Sequence, residues 1–95
     1  MPVVSDLIAV AGAVSGRVQG VGFRVSARWA AERVGVTGWA RNLADGRVEV
    51  FAQGPLSRVD EFVEWLAVGP QAARVDAVRL TPVEVDPTIR RFTIR

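Results

Sequence analysis

Apolar positions along this chain change period several times, and each change marks an element. Residues 7–15, "LIAVAGAVS", are apolar on both parities, the mark of a strand covered on both faces, with Ile8, Val10 and Val14 sharing one face. Gly12 inside this run signals a close approach or a bulge. In "FRVSARWAAERVG", Phe23, Ala27, Ala30, Ala31 and Val34 recur at helical spacing, and Gly35 is placed to cap the C-terminus. "VTGWARN" and "GRVEVFAQ" read as two strands joined by "LADG", whose Asp45-Gly46 pair is a strong hairpin signal. In the second of them Val48, Val50 and Ala52 alternate with Glu49, Phe51 and Gln53. Pro55 opens a second helix with the stripe Val59, Phe62, Val63 and Leu66, and Gly69-Pro70 ends it. "ARVDAVRLTPVEV" is a strand held to an edge by Pro82, and after Asp86-Pro87 a short strand, "RRFTIR", turns Phe92 and Ile94 inward.

The predicted order is β-α-β-β-α-β plus a short C-terminal strand. This is the α+β, ferredoxin-like arrangement, with two helices on one face of an antiparallel sheet. The first and third strands are expected to be central and parallel. That topology lets the loop after the first strand approach the end of the second. Residues 1–6 are expected as a flexible N-terminus and residues 7–95 as one domain, consistent with a chain of 95 residues.

Composition narrows the chemistry. Cysteine and histidine are both absent, which excludes disulfides, thiolate nucleophiles and histidine-based triads, and removes the commonest metal ligand. No metal site and no cofactor are expected. All twelve basic residues are arginine, so a net charge of only +2 accompanies a pI near 11.0. With no basic run, this is not the charge pattern of a nucleic-acid binder. The apolar start "MPVVSDLIAVAGAV" has no basic leader and is too short to span a bilayer, so a cytoplasmic protein with no membrane partner is expected.

One connector stands out. "GRVQGVGFR", residues 16–24, places Gly16, Gly20 and Gly22 ahead of a helix and Arg24 in its first turn. Glycines admit backbone conformations that aim successive N–H groups inward, and a helix N-terminus favours an anion. A cation in the first turn opposes the helix dipole, so Arg24 needs another reason to be there, and a guanidinium fork matches phosphate or carboxylate. The plainer reading is a glycine-rich connector with no ligand. The pattern is neither a dinucleotide fingerprint nor a P-loop. In the second stretch, "GWARNLADGRVEV", Asn42 and Asp45 read first as turn residues, Arg41 and Glu49 as exposed strand positions, and Trp29, Trp39 and Trp65 as packing residues.

Taken together, "GRVQGVGFR" and "GWARNLADGRVEV" resemble the acylphosphatase family. The match is specific from about Val14 to Gly54 and looser through "GPQAARVDAV" and "FTIR". The resemblance implies a ferredoxin-like fold and hydrolysis of acyl phosphates to a carboxylate and inorganic phosphate; a monomer is expected from one small domain without an obvious exposed apolar stripe. It implies that Arg24 binds the phosphate, with the backbone of Gln19, Gly20, Val21, Gly22, Phe23 and Arg24 as a cradle, and that Asn42 orients the attacking water. Inorganic phosphate is then product and inhibitor. Ser15 stands where the family often has histidine, and Val25 where it often has an aromatic residue. Two other readings compete. One is a non-catalytic acylphosphatase-like domain that binds an anion. The other is an RNA-binding ferredoxin-like module, which the scarcity of strand aromatics disfavours: the first strand has none and the third only Phe51.

Overall fold

A computed structural model of the chain describes residues 7–95. The flexible N-terminus expected at residues 1–6 lies outside the described residues. The elements run β1 (Leu7–Arg17), α1 (Phe23–Val34), β2 (Thr37–Asn42), β3 (Val48–Pro55), α2 (Leu56–Leu66), β4 (Arg74–Val83) and β5 (Phe92–Ile94). They build one five-stranded sheet in the order β4-β1-β3-β2-β5. Both central strands were expected to be parallel, and they are antiparallel. The reason is topological. The crossover through α1 returns β2 in the direction of β1, and the hairpin then reverses β3, which inserts between them. The C-terminal strand β5 pairs in parallel with β2, so the sheet is mixed, its three other neighbouring pairs being antiparallel.

The two helices pack on one face. Val14 of β1, Val48, Val50 and Ala52 of β3 and Phe92 of β5 meet Phe23, Ala27, Ala30 and Ala31 of α1 and Val59, Phe62 and Leu66 of α2 in one buried cluster. The four alanines and small side chains let α1 lie close to the sheet, while aromatic rings fill the space nearer α2. The rings of Phe62 and Phe92 meet edge-on at 5.5 Å, and Phe23 tilts against Trp65 at 5.5 Å. Gly12 marks a close approach: a Cβ there would come within 1.9 Å of the Arg79 carbonyl oxygen on the neighbouring strand. The bulge lies farther along, between Ser15 and Gly16.

Three side chains depart from their expected surroundings. Trp29 does not pack: it is 64% exposed on α1, whereas Trp65 lies against Phe23 and Phe62, and Trp39 stacks on Phe51. Gln53 and Phe51, on the face away from the helices, are buried. Over Gln53 lies the 86–89 turn. The Gln53 amide donates to the oxygens of Asp86 (2.8 Å), Ile89 (3.2 Å) and Thr37 Oγ1 (3.2 Å). Its carbonyl accepts from the Asp86 N–H at 2.7 Å.

Candidate functional site

At the end of β1 the chain buries Val18 and then leaves the sheet through Gln19–Gly22. Gly20 (φ 74°) and Gly22 (φ 76°) both take the left-handed conformation, and a Cβ at either would meet nothing within 4 Å. Backbone geometry, not crowding, therefore demands glycine there. Gly22 is the N-cap of α1, and no side chain caps this end. The first intrahelical bond runs from Ser26 N–H to the Gly22 carbonyl at 3.0 Å, so the N–H groups of the turn before it have no partner within the helix. The first turn carries no acidic residue.

The loop is tied to the β2–β3 hairpin by one side chain. Gln19 Nε2 donates to the main-chain oxygens of Leu43 (2.7 Å) and Arg47 (3.0 Å). The hairpin holds its own shape through Asp45, whose carboxylate accepts from Arg47 N–H (3.1 Å) and Arg47 Nε (2.8 Å). The Arg47 amide and guanidinium hold the Asp45 carboxyl below its ordinary range. Next to it, Arg41 and Glu49 face each other across the strands and form an ion pair.

The result is a small cleft of about 120 Å³ lined by Val18, Gly20, Gly22, Phe23, Arg24, Val25, Asn42 and Ile94. It brings together the two sequence stretches that stood out. Asn42 ends β2, is exposed, and its side-chain amide has no hydrogen-bond partner among the described residues. Arg24 lies half-buried in the first turn of α1, its Nη1 donating to the main-chain oxygen of Arg95 at 2.9 Å. Val21 packs against the core and does not line the cleft. Gln19 lies beside the cleft and braces the loop. Two contributors escaped sequence reasoning: Ile94 as a wall and the Arg95 main-chain oxygen as the acceptor for Arg24. Their only signal was the apolar alternation of "FTIR", which gives no hint that β5 docks beside β2. A larger hollow of about 290 Å³, lined by Gly12, Ala13, Ser15, Leu43, Arg47, Glu49 and Arg79, excludes the glycine loop, and its Arg47 and Glu49 are engaged in ion pairs. Among the described residues no group of three or more acidic side chains gathers as a metal would need, and no helix is long and apolar enough to cross a membrane.

The acylphosphatase family model matches residues 10–94, which takes in the loop, the cleft, both helices and the sheet but for the first three residues of β1. The chain belongs to the acylphosphatase family. It is similar to the acylphosphatase of Halorhodospira halophila, with 52% identity over 81 residues, 85% of this chain and 87% of that protein. It is 51% identical over 82 residues to the acylphosphatase of Rubrobacter xylanophilus, covering 86% of this chain and 74% of that one. Among solved structures, an acylphosphatase from Coxiella burnetii superposes with a TM-score of 0.89 at 38% identity, covering 95% of this chain and 94% of that one. An acylphosphatase fold is thus shared by this chain across both helices and the whole sheet.

Proposed function

We propose that the chain is an acylphosphatase that hydrolyses acyl phosphates to a carboxylate and inorganic phosphate, acting as a cytoplasmic monomer without metal or cofactor. The observation that carries this reading is the meeting of Gly20, Gly22, Arg24 and Asn42 around one cleft at an uncapped helix start. In it the phosphoryl group sits at the N-terminus of α1. The backbone N–H groups of Gln19 through Arg24 point at its oxygens, and the Arg24 guanidinium supplies the counter-charge. The bond from Arg24 to the Arg95 main-chain oxygen uses one of its five N–H donors and leaves the remainder for the anion.

The chemistry asks little more of the protein. An acyl phosphate is a mixed anhydride whose leaving carboxylate has a conjugate acid of pKa roughly 4. It departs without a proton, so no general acid is required. The phosphoryl transition state is loose and spreads charge over its equatorial oxygens, where fixed N–H donors and a guanidinium stabilise it. Asn42, with its side-chain amide unengaged, accepts a hydrogen bond from the attacking water through its carbonyl oxygen and holds it beside the phosphorus. The water's proton passes to a phosphate oxygen of the substrate. Asp45, the nearest carboxylate in the hairpin, is engaged by Arg47 and stays with the turn.

The test is turnover of benzoyl phosphate by the purified protein before and after dialysis against chelator. The expected result is equal hydrolysis in both, with competitive inhibition by phosphate and very slow turnover of phosphate monoesters, whose alkoxide leaving groups need an acid. Loss of activity on dialysis with recovery in Mg²⁺, or rapid monoester hydrolysis, would overturn the mechanism.

A further inference from the structure

The phosphate cleft does not end at Ile94. The same residue begins a second, wider groove of about 400 Å³ between α1 and β5, lined by Arg28, Trp29, Glu32, Arg91, Phe92, Thr93 and Ile94. The two hollows follow one side of α1. Arg24 and Val25 line the first, and Arg28 and Trp29, each four residues on, line the second. Four residues carry a side chain about one helical turn, roughly 5.4 Å, along the same face. Val25 and Trp29 are 42% and 64% exposed, so an apolar strip leads away from the cradle, left open by the described residues. Trp29 takes no part in the ring contacts that hold Trp39 and Trp65.

Resting on the acylphosphatase reading, we propose that this groove is the acyl-group subsite, with Trp29 as its selective wall, and that it favours acyl phosphates with a flat aromatic acyl group over those with a short aliphatic one. The placement follows from the substrate's shape. An acyl phosphate held at its phosphoryl end by the cradle must project its acyl end outward, and the groove shares Ile94 with the cleft of the cradle. An aryl group leaving the cradle passes Val25 and reaches the groove, where Trp29 and Ile94 are the apolar side chains it can touch among the charged Arg28, Glu32 and Arg91. An acetyl group stops short of Trp29 and gains nothing from it. Trp29 acts by contact with the part of the substrate that does not react, so its contribution is binding energy realised with the longer substrate alone. Phe92, buried in the core, forms the floor and is not available as a selective element.

The experiment compares kcat/KM for benzoyl phosphate and acetyl phosphate in the intact chain, in Trp29→Ala and Trp29→Phe, and in Leu56→Ala. The last removes another exposed apolar side chain, from α2 and outside both hollows. Taking each ratio relative to the parent cancels the intrinsic reactivities of the two substrates. In Trp29→Ala the benzoyl-to-acetyl ratio is expected to fall about tenfold, within the range for losing an apolar contact in a binding pocket. Most of the fall should lie in KM, and Trp29→Phe should restore at least half of it on a logarithmic scale. Leu56→Ala should leave the ratio where it was. An unchanged ratio in Trp29→Ala, or an equal loss on both substrates, overturns the acyl subsite while leaving the acylphosphatase reading in place. Failure of the parent chain to hydrolyse either substrate overturns that reading itself.

Discussion

The β2–β3 pair carries a primary amide near each end, and the two amides live in opposite conditions. At one end Thr37 pairs with Gln53, and the Gln53 amide is buried with three acceptors and one donor around it. At the other end Asn42 pairs with Val48, and the Asn42 amide is exposed and unengaged among the described residues. The groups are chemically alike, so the difference lies in what the rest of the chain does around them. The 86–89 turn closes over Gln53 and converts its polarity into a clasp between the sheet and the C-terminal segment. Among the described residues nothing closes over Asn42, and Gln19 ties the hairpin to the glycine loop beside it. A saturated amide fixes structure, whereas a free amide at a cleft is available to a water or a substrate.

Breaking the open end should have the largest effect, and it should fall on activity. Arg24→Ala removes the cradle's only charged donor. It is expected to lower kcat/KM for benzoyl phosphate by about 10²–10³-fold, as for loss of a transition-state donor, and to weaken inhibition by phosphate in parallel. Circular dichroism should show a folded protein, since Arg24 is half-buried at the surface and outside the apolar cluster.

Breaking the closed end should fall on stability instead. Gln53→Ala leaves the Asp86 N–H and the Ile89 carbonyl without their partner and takes from the Asp86 carbonyl one of its two donors, the other being the Ile89 N–H. Denaturant unfolding should show a loss of about 2–3 kcal/mol, with kcat unchanged at a temperature where the variant is folded.

These two ends were unequally legible. The α1 stripe of Phe23, Ala27, Ala30 and Ala31 was readable because helical period and burial coincide there. The cradle was readable because Gly20 and Gly22 meet a local backbone demand that no other residue meets cheaply. Gln53 was not, because alternation places it on the face away from the helices, and what covers that face comes from more than thirty residues later. Ile94 and the Arg95 main-chain oxygen were hidden for the same reason: a three-residue strand does not announce its partner. The direction of β3 was misjudged from connectivity, and only the hairpin's reversal sets it right. Trp29 sits at a polar position of the helix, and its aromatic character alone pointed inward.

A smaller effect sharpens the comparison at the clasp. Thr88 N–H and its hydroxyl donate to Asp86 Oδ1 at 2.9 and 2.6 Å, and they hold the Asp86 carboxyl below its ordinary value of 3.8. A depressed carboxylate pKa contributes stability that is fully present above the unfolded value and is lost as pH falls through the folded one. Tm should therefore fall on acidification below about pH 4, and Asp86→Asn should flatten that limb. Because Asp86 is exposed on its carboxylate side, this slope should be shallow beside the loss in Gln53→Ala.

The two roles assigned to the cleft, an anion held by the loop and a water held by Asn42, separate most directly in Asn42→Ala. The measurement is kcat for benzoyl phosphate together with the competitive inhibition constant of inorganic phosphate, on protein shown to be folded. The account predicts a kcat about 10²-fold lower or more, with the inhibition constant within about twofold of the parent's. Full kcat in the folded variant would make Asn42 only the last residue of a strand, and an inhibition constant that rose in step with the loss of kcat would place it on the phosphate and leave the water unheld.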